Sequence, residues 1–141
     1  MSFWKLSPWL SRLIILAVAA LFSMISLKFI LDPLGAATAS GITIQPGLGY
    51  TNTRAGFGGF PLGFALILLF CLFSSRRLLA ALASIATVAG VILFVRLYAA
   101  VLDNTVSESA HLLAPEAVIT IVSLLGVWME SARRTRAVGA S

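Results

Sequence analysis

Charge is what this sequence has least of. Only 11% of its 141 residues are Asp, Glu, Lys or Arg, whereas a soluble domain carries about a quarter. There is one cysteine, Cys71, and one histidine, His111. A lone cysteine excludes an internal disulfide. One Cys with one His assembles neither a zinc site nor a paired haem ligation, so no metal or cofactor is expected. No glycine-rich loop ends in Lys-Ser or Lys-Thr, which removes the usual phosphate cradle. No motif presents a serine nucleophile to His111 as its base. Outside the apolar runs there is no basic face interleaved with aromatics, so nucleic acid is not an expected partner.

Apolar residues are what the chain has instead. They make up 60% of it, with a mean hydropathy of +1.02. A domain this small leaves much of its surface outside any core, and apolar surface left over in that way needs lipid. The apolar runs have the length a bilayer demands, about 20 residues at 1.5 Å rise. They cover about 10–31, 57–74, 78–102 and 112–130. They do not alternate as the strands of a membrane barrel do. The expected fold is all-α: one integral membrane domain over 1–141, a bundle of four transmembrane helices, with a basic tail at 131–141.

The basic residues set the orientation. Lys5 and Arg12 precede helix one, Arg76 and Arg77 join helices two and three, and Arg133, Arg134 and Arg136 follow helix four. If the helices alternate in direction, these seven of the ten basic residues share one side, which the positive-inside bias makes cytoplasmic. Both termini are therefore expected there. The N-terminal run with its basic flank is similar to a signal peptide, but it is long and is expected to remain as a span. Trp4 and Trp9 before it suit an aromatic belt.

The opposite side is mixed in sign. Asp32, Asp103, Glu108 and Glu116 lie at its edge with Lys28, Arg54, Arg96 and His111, while Glu130 alone of the acids falls on the basic side. Lys28 is expected to snorkel to the headgroups, and Asp32-Pro33 to stop helix one. Arg96 precedes Asp103 by seven residues, so it sits about 10 Å inside the end of helix three. An arginine within hydrocarbon costs about 2.5–3.5 kcal/mol and faces a partner. Structural ion pair, ligand contact and snorkelling all stay open for it. Glu116 is a first-turn acid if Pro115 opens helix four. If Thr105 and Glu108 form a capping box, the helix starts further out and Glu116 enters the bundle, with Arg96 and Arg54 as its partners.

Helix two opens on Asn52-Thr53-Arg54-Ala55-Gly56-Phe57-Gly58-Gly59. Glycine lets a second backbone come close, and Gly59 with Gly63 makes a small-xxx-small face. Gly58, Gly59 and Gly63 are expected helix-packing positions. The connection from Asp32 to Thr53 is the long one, with Ile42, Ile44, Leu48 and Tyr50 as apolar anchors. A loop of that length is expected to lie over the outer mouth as a lid or interfacial segment.

This pattern resembles a set of small bacterial membrane proteins known as domain of unknown function 4345. The resemblance rests on N-T-R-A-G-F-G-G opening helix two, Arg96 late in helix three, Leu-Asp at its end and Pro115-Glu116 opening helix four. It covers nearly the whole chain and lands on Asn52, Arg54, Gly58, Gly59, Arg96 and Glu116, with Phe57 where the family usually has tyrosine. It implies four helices and a multi-pass place in a bacterial inner membrane, and supplies no activity.

Three functions fit. The expected one is a non-enzymatic accessory or structural subunit of a larger membrane assembly, marked by outward stripes of small residues such as Ala80, Ser84, Thr87 and Gly90, beside Ala83 and Ala86. Its partners are the bilayer, other membrane proteins or further copies of itself. The alternative is a small-molecule, lipid or quinone binder or transporter, with an outer polar site at Arg54, Arg96 and Glu116, and Asn52 and Asp103 at its margin. The third is an intramembrane enzyme using Glu116 as proton donor or acceptor.

Overall fold

The computed structural model describes residues 3–138, with side chains from Ser7 to Arg136. The side chains of Trp4 and Lys5 and the last residues of the basic tail lie outside the described residues. Helix α1 runs Phe3–Leu31, α2 Pro33–Ala39 and α3 Leu48–Thr53. A π-helical segment, Arg54–Gly59, follows, then α4 Phe60–Leu72, α5 Leu78–Leu102 and α6 Val106–Val138. Four stretches are long and apolar enough to cross a membrane: Ser7–Leu31, Leu48–Leu72, Leu78–Leu102 and Val106–Arg136.

Only one set of helix bounds, 78–102, coincides with the apolar run. Its stop is chemical. Asn104 takes a left-handed φ of 53°, so the Thr105 N–H reaches the Ala100 carbonyl at 2.9 Å and the Asn104 N–H reaches Val101 at 3.4 Å. That is the paired bonding that closes a helix C-terminus. At the two ends of the chain the helices outrun their apolar runs: α1 starts at Phe3, and α6 spans 106–138 rather than 112–130. Apolarity marks the lipid-crossing part of a helix, not its hydrogen-bonded length.

The long connection is also more ordered than its composition indicates. Asp32 caps α2 through Oδ1, which accepts from the Gly35 N–H at 2.9 Å, with Pro33 in the first helical turn where a missing N–H does no harm. Helix two begins at Leu48 instead of 57, so the irregular part shrinks to 40–47.

The chain divides into two compact units. One comprises residues 16–73. Here α1 and α4 pack through Phe22 and Phe64, edge to face with ring centroids 5.4 Å apart. Ala19, Ala65 and Leu68 are fully buried. Higher up, Phe29 stacks on Phe57 at 5.3 Å. The π segment is explained by Pro61, which cannot donate to the helix and whose ring crowds the carbonyl four residues back. The turn before it widens, and the Phe60 N–H bonds to Ala55 five residues earlier. Such single-turn widenings are the usual form of π-helix.

Gly58 is where this segment meets α1 most closely. A β-carbon at Gly58 would stand 2.5 Å from Ile30 Cγ1, an atom held near the backbone. The Ser26 hydroxyl donates to the Gly58 carbonyl. Gly58→Val is therefore expected to lose about 1–3 kcal/mol through overpacking, measured by denaturant unfolding in detergent. Gly63→Ala is the control, because nothing lies within 4 Å of that position. An equal loss in both would detach the effect from the Ile30 contact.

The second unit comprises residues 1–15 and 74–141. Helices α5 and α6 are packed along their length. The small buried residues Ala81, Ala86 and Ala89 of α5, beside Leu82 and Ile85, let the two backbones approach. Gly126 of α6 faces Leu82 and Ile14, whose methyl carbons would lie 2.9 and 3.5 Å from a β-carbon there. Ile15, Leu78 and Leu82 are fully buried.

Candidate polar sites

Arg96 and Glu116 meet because of register. A side chain at Gly90 would touch Thr120 at 3.7 Å, so in this antiparallel pair Arg96 stands roughly level with residue 114 and Glu116 slightly deeper. Helical side chains lean toward their own N-terminus. Arg96 therefore leans inward along α5, Glu116 leans outward along α6, and the two close on each other. Arg96 Nε donates to both carboxylate oxygens, at 2.8 and 2.9 Å. The arginine side chain is 36% exposed and the glutamate 18%. The Thr120 hydroxyl donates to the Glu116 carbonyl at 2.8 Å, a bond within its own helix.

The start of α6 at Val106 places Pro115 inside the helix. The carbonyl of His111 then receives no helical bond from residue 115, since proline has no N–H. His111 Nδ1 lies 2.7 Å from the Glu108 carbonyl.

The Nη groups of Arg96 donate to nothing among the described residues. Arg96 lines a cleft of about 500 Å³ with Val91, Val95, Asp103, Thr105 and Ser109. The charged residues that line it are Arg96 and Asp103, and Glu116, bound to Arg96, adds a second negative charge behind the arginine. A second cleft of about 400 Å³ runs over Thr87, Gly90 and Phe94 to Leu124.

The other proposed site residues lie in the 16–73 unit. Arg54 Nε donates to the Ile30 carbonyl at 3.0 Å. That carbonyl belongs to the last turn of α1, where the helix supplies no donor and a cation is favoured. Asn52 is exposed on α3. Of the three glycines, Gly58 alone is closely approached, while Gly59 has only the Arg54 carbonyl at 3.9 Å nearby. Cys71 is half-buried. Among the described residues no three of His, Cys, Asp and Glu come together.

A polar cluster not expected from the sequence sits at the basic end of the second unit. Glu130, a cytoplasmic acid in the sequence reading, is completely buried, while its partners Arg133 and Arg134 are 29% and 39% exposed. Arg133 Nε donates to Glu130 Oε2 at 3.0 Å and its Nη2 to Oε1. Arg134 Nε approaches Oε1 at 3.6 Å, and its Nη2 donates to the Arg76 carbonyl at 2.7 Å. From α1, Arg12 Nη2 donates to the Ser75 hydroxyl at 3.1 Å. One turn beyond the Gly126–Leu82 contact, Leu78 and Glu130 are both fully buried, as is Ser11 on α1. The hydroxyls of Ser7, Ser11 and Ser123 are buried with no hydrogen-bond partner among the described residues.

No family model, curated protein or solved structure matches this chain. What the positions of the signature do is read from their own contacts. Arg54 holds the end of α1, Gly58 admits Ile30, and Arg96 holds Glu116.

Proposed function

We propose that the protein is a multi-pass membrane protein whose four spans form one bundle, with both termini on the cytoplasmic side of a bacterial inner membrane. Kinship with the family named as domain of unknown function 4345 is part of this proposal. Its function is to serve as an accessory or structural subunit of a larger membrane assembly. One observation carries this reading: Ala80, Ser84 and Thr87 of α5 are exposed, on the side of the helix away from Ala81, Leu82 and Ile85. Small side chains turned outward leave a partner helix room to approach, which is how helices associate where lipid gives no hydrophobic drive. Gly90, half-buried, continues the stripe into the cleft between Phe94 and Leu124.

The test is gentle extraction from the native membrane followed by native mass spectrometry. The parent chain is expected in a complex of defined stoichiometry, and Ser84→Leu is expected to leave it, since leucine there meets none of the chain's own core. A Ser84→Leu chain still fully assembled would refute association through this face.

A second function, binding of a small amphiphile, is favoured by the unpartnered Nη groups of Arg96 in their cleft. With Glu116 and Asp103 beside it, the cleft suits an uncharged head that accepts hydrogen bonds, such as a quinone carbonyl, rather than an anion. In that case the purified chain carries a small apolar adduct that Arg96→Gln loses.

A further inference from the structure

The arginines of the second unit are far apart in sequence and converge in space. Arg134 bonds to the Arg76 carbonyl and Arg12 to the Ser75 side chain, so the turn at 74–77 gathers cations from α1, from itself and from α6. Arg12, Arg76, Arg77, Arg133 and Arg134 give five positive charges there. The one acid near them is Glu130, leaving a sum of 5 − 1 = +4. Glu130 is fully buried, so the compensating charge lies beneath the surface that the arginines present.

We propose that this basic end is a binding site for a phospholipid that carries two phosphates on one headgroup, of the diphosphatidylglycerol type. Guanidinium forks match phosphate oxygens in bidentate fashion. A headgroup with two joined phosphates places the second one at high effective concentration once the first is held. A single-phosphate lipid answers one unit of the +4 charge, and a double-phosphate lipid answers two.

The surroundings point to lipid rather than to a soluble anion. Trp9 and Trp128 are exposed in the same unit, as are Leu10 and Leu13, and the Arg12 guanidinium lies 5.7 Å from the centroid of the Trp9 ring. Exposed tryptophan beside arginine is the composition of a membrane–water boundary, and basic clusters at that depth attract anionic headgroups. Beyond marking an orientation, the positive charge here is arranged as a receptor. The inference does not rest on the accessory-subunit function, because it concerns the opposite polarity of surface on different elements.

The experiment titrates the full chain, in an uncharged detergent, with diphosphatidylglycerol, phosphatidylglycerol and phosphatidylcholine, counting adducts by native mass spectrometry. Diphosphatidylglycerol is expected to bind about tenfold tighter than phosphatidylglycerol, with phosphatidylcholine weakest. R76Q/R77Q is expected to abolish that preference, while R76K/R77K keeps most of it. The Arg134 bond is to the backbone of Arg76, so the lipid-free melting temperature should hold in R76Q, which is expected to lose part of the preference by itself. Equal binding of the three lipids would overturn the proposal, as would undiminished preference in R76Q/R77Q. Displacement of the lipid by millimolar inorganic pyrophosphate would overturn its lipid part, showing a site for the anion alone.

Discussion

Exchanging Arg133 and Arg134 together for glutamine is expected to destabilise the protein by about 3–5 kcal/mol, read from denaturant unfolding in detergent. The carboxylate of Glu130 is fully buried, and Arg133 and Arg134 are the cations that the structure places against it. Stripped of both guanidiniums, it becomes an uncompensated charge in an apolar surrounding. Glu130→Gln is expected to cost less, about 1–2 kcal/mol, because the freed arginines are partly exposed near a helix end and can turn toward water or headgroups. The triple variant E130Q/R133Q/R134Q is then more stable than the double variant, although it carries one more substitution. A triple variant no better than the double would mean that the stranded carboxylate is not the source of the loss.

Glu116→Gln is expected to lower stability by about 3 kcal/mol, the low end of the range for breaking a buried pair, since Arg96 is about a third exposed. It leaves an arginine in the apolar reach of α5 with its best acceptor gone. Replacing both partners is the informative comparison. Arg96→Met with Glu116→Leu removes the charge and its desolvation together, and such swaps are often neutral. That double variant is expected within about 1 kcal/mol of the parent, and it separates a pair that merely holds the helices from one kept for a ligand. An unchanged melting temperature in Glu116→Gln would show that the pair does not brace α5 against α6.

What could be read from the sequence follows from which forces act locally. The four helices long and apolar enough to cross a membrane were legible because a bilayer demands length and apolarity of each segment independently of its neighbours. Arg96 stood as a partner for Glu116 on condition that helix four starts early, and with α6 beginning at Val106 the two side chains do meet. Glu130 was not legible as buried, because its neighbours Glu-Ser-Ala-Arg-Arg-Thr-Arg look like a solvated tail, and burial depends on what covers the helix. A signal existed in the stripe Ser123, Gly126 and Glu130, with arginines three and four residues on, all on one face. Helix α2 was hidden by its Gly and Thr content, although Asp-Pro at cap and first position announces a helix start. The early start of helix two was hidden by its glycines, which are poor helix formers in isolation. There the structure relies on Phe29, Ile30 and Ser26 to fix the backbone.

The widened turn at Arg54–Gly59 has a consequence for the whole of the helix that runs from Leu48 to Leu72. An extra residue in one turn advances the chain by about 100° of azimuth without advancing the helix by a full repeat. Residues before and after it are therefore out of phase, and no single helical wheel describes the span. Arg54, Phe57 and Gly58, at i, i+3 and i+4, address α1 at Ile30 and Phe29, and Phe64, on the far side of the shift, meets α1 at Phe22. The span behaves as two short screws cut to different starts and joined end to end, with Pro61 marking the splice.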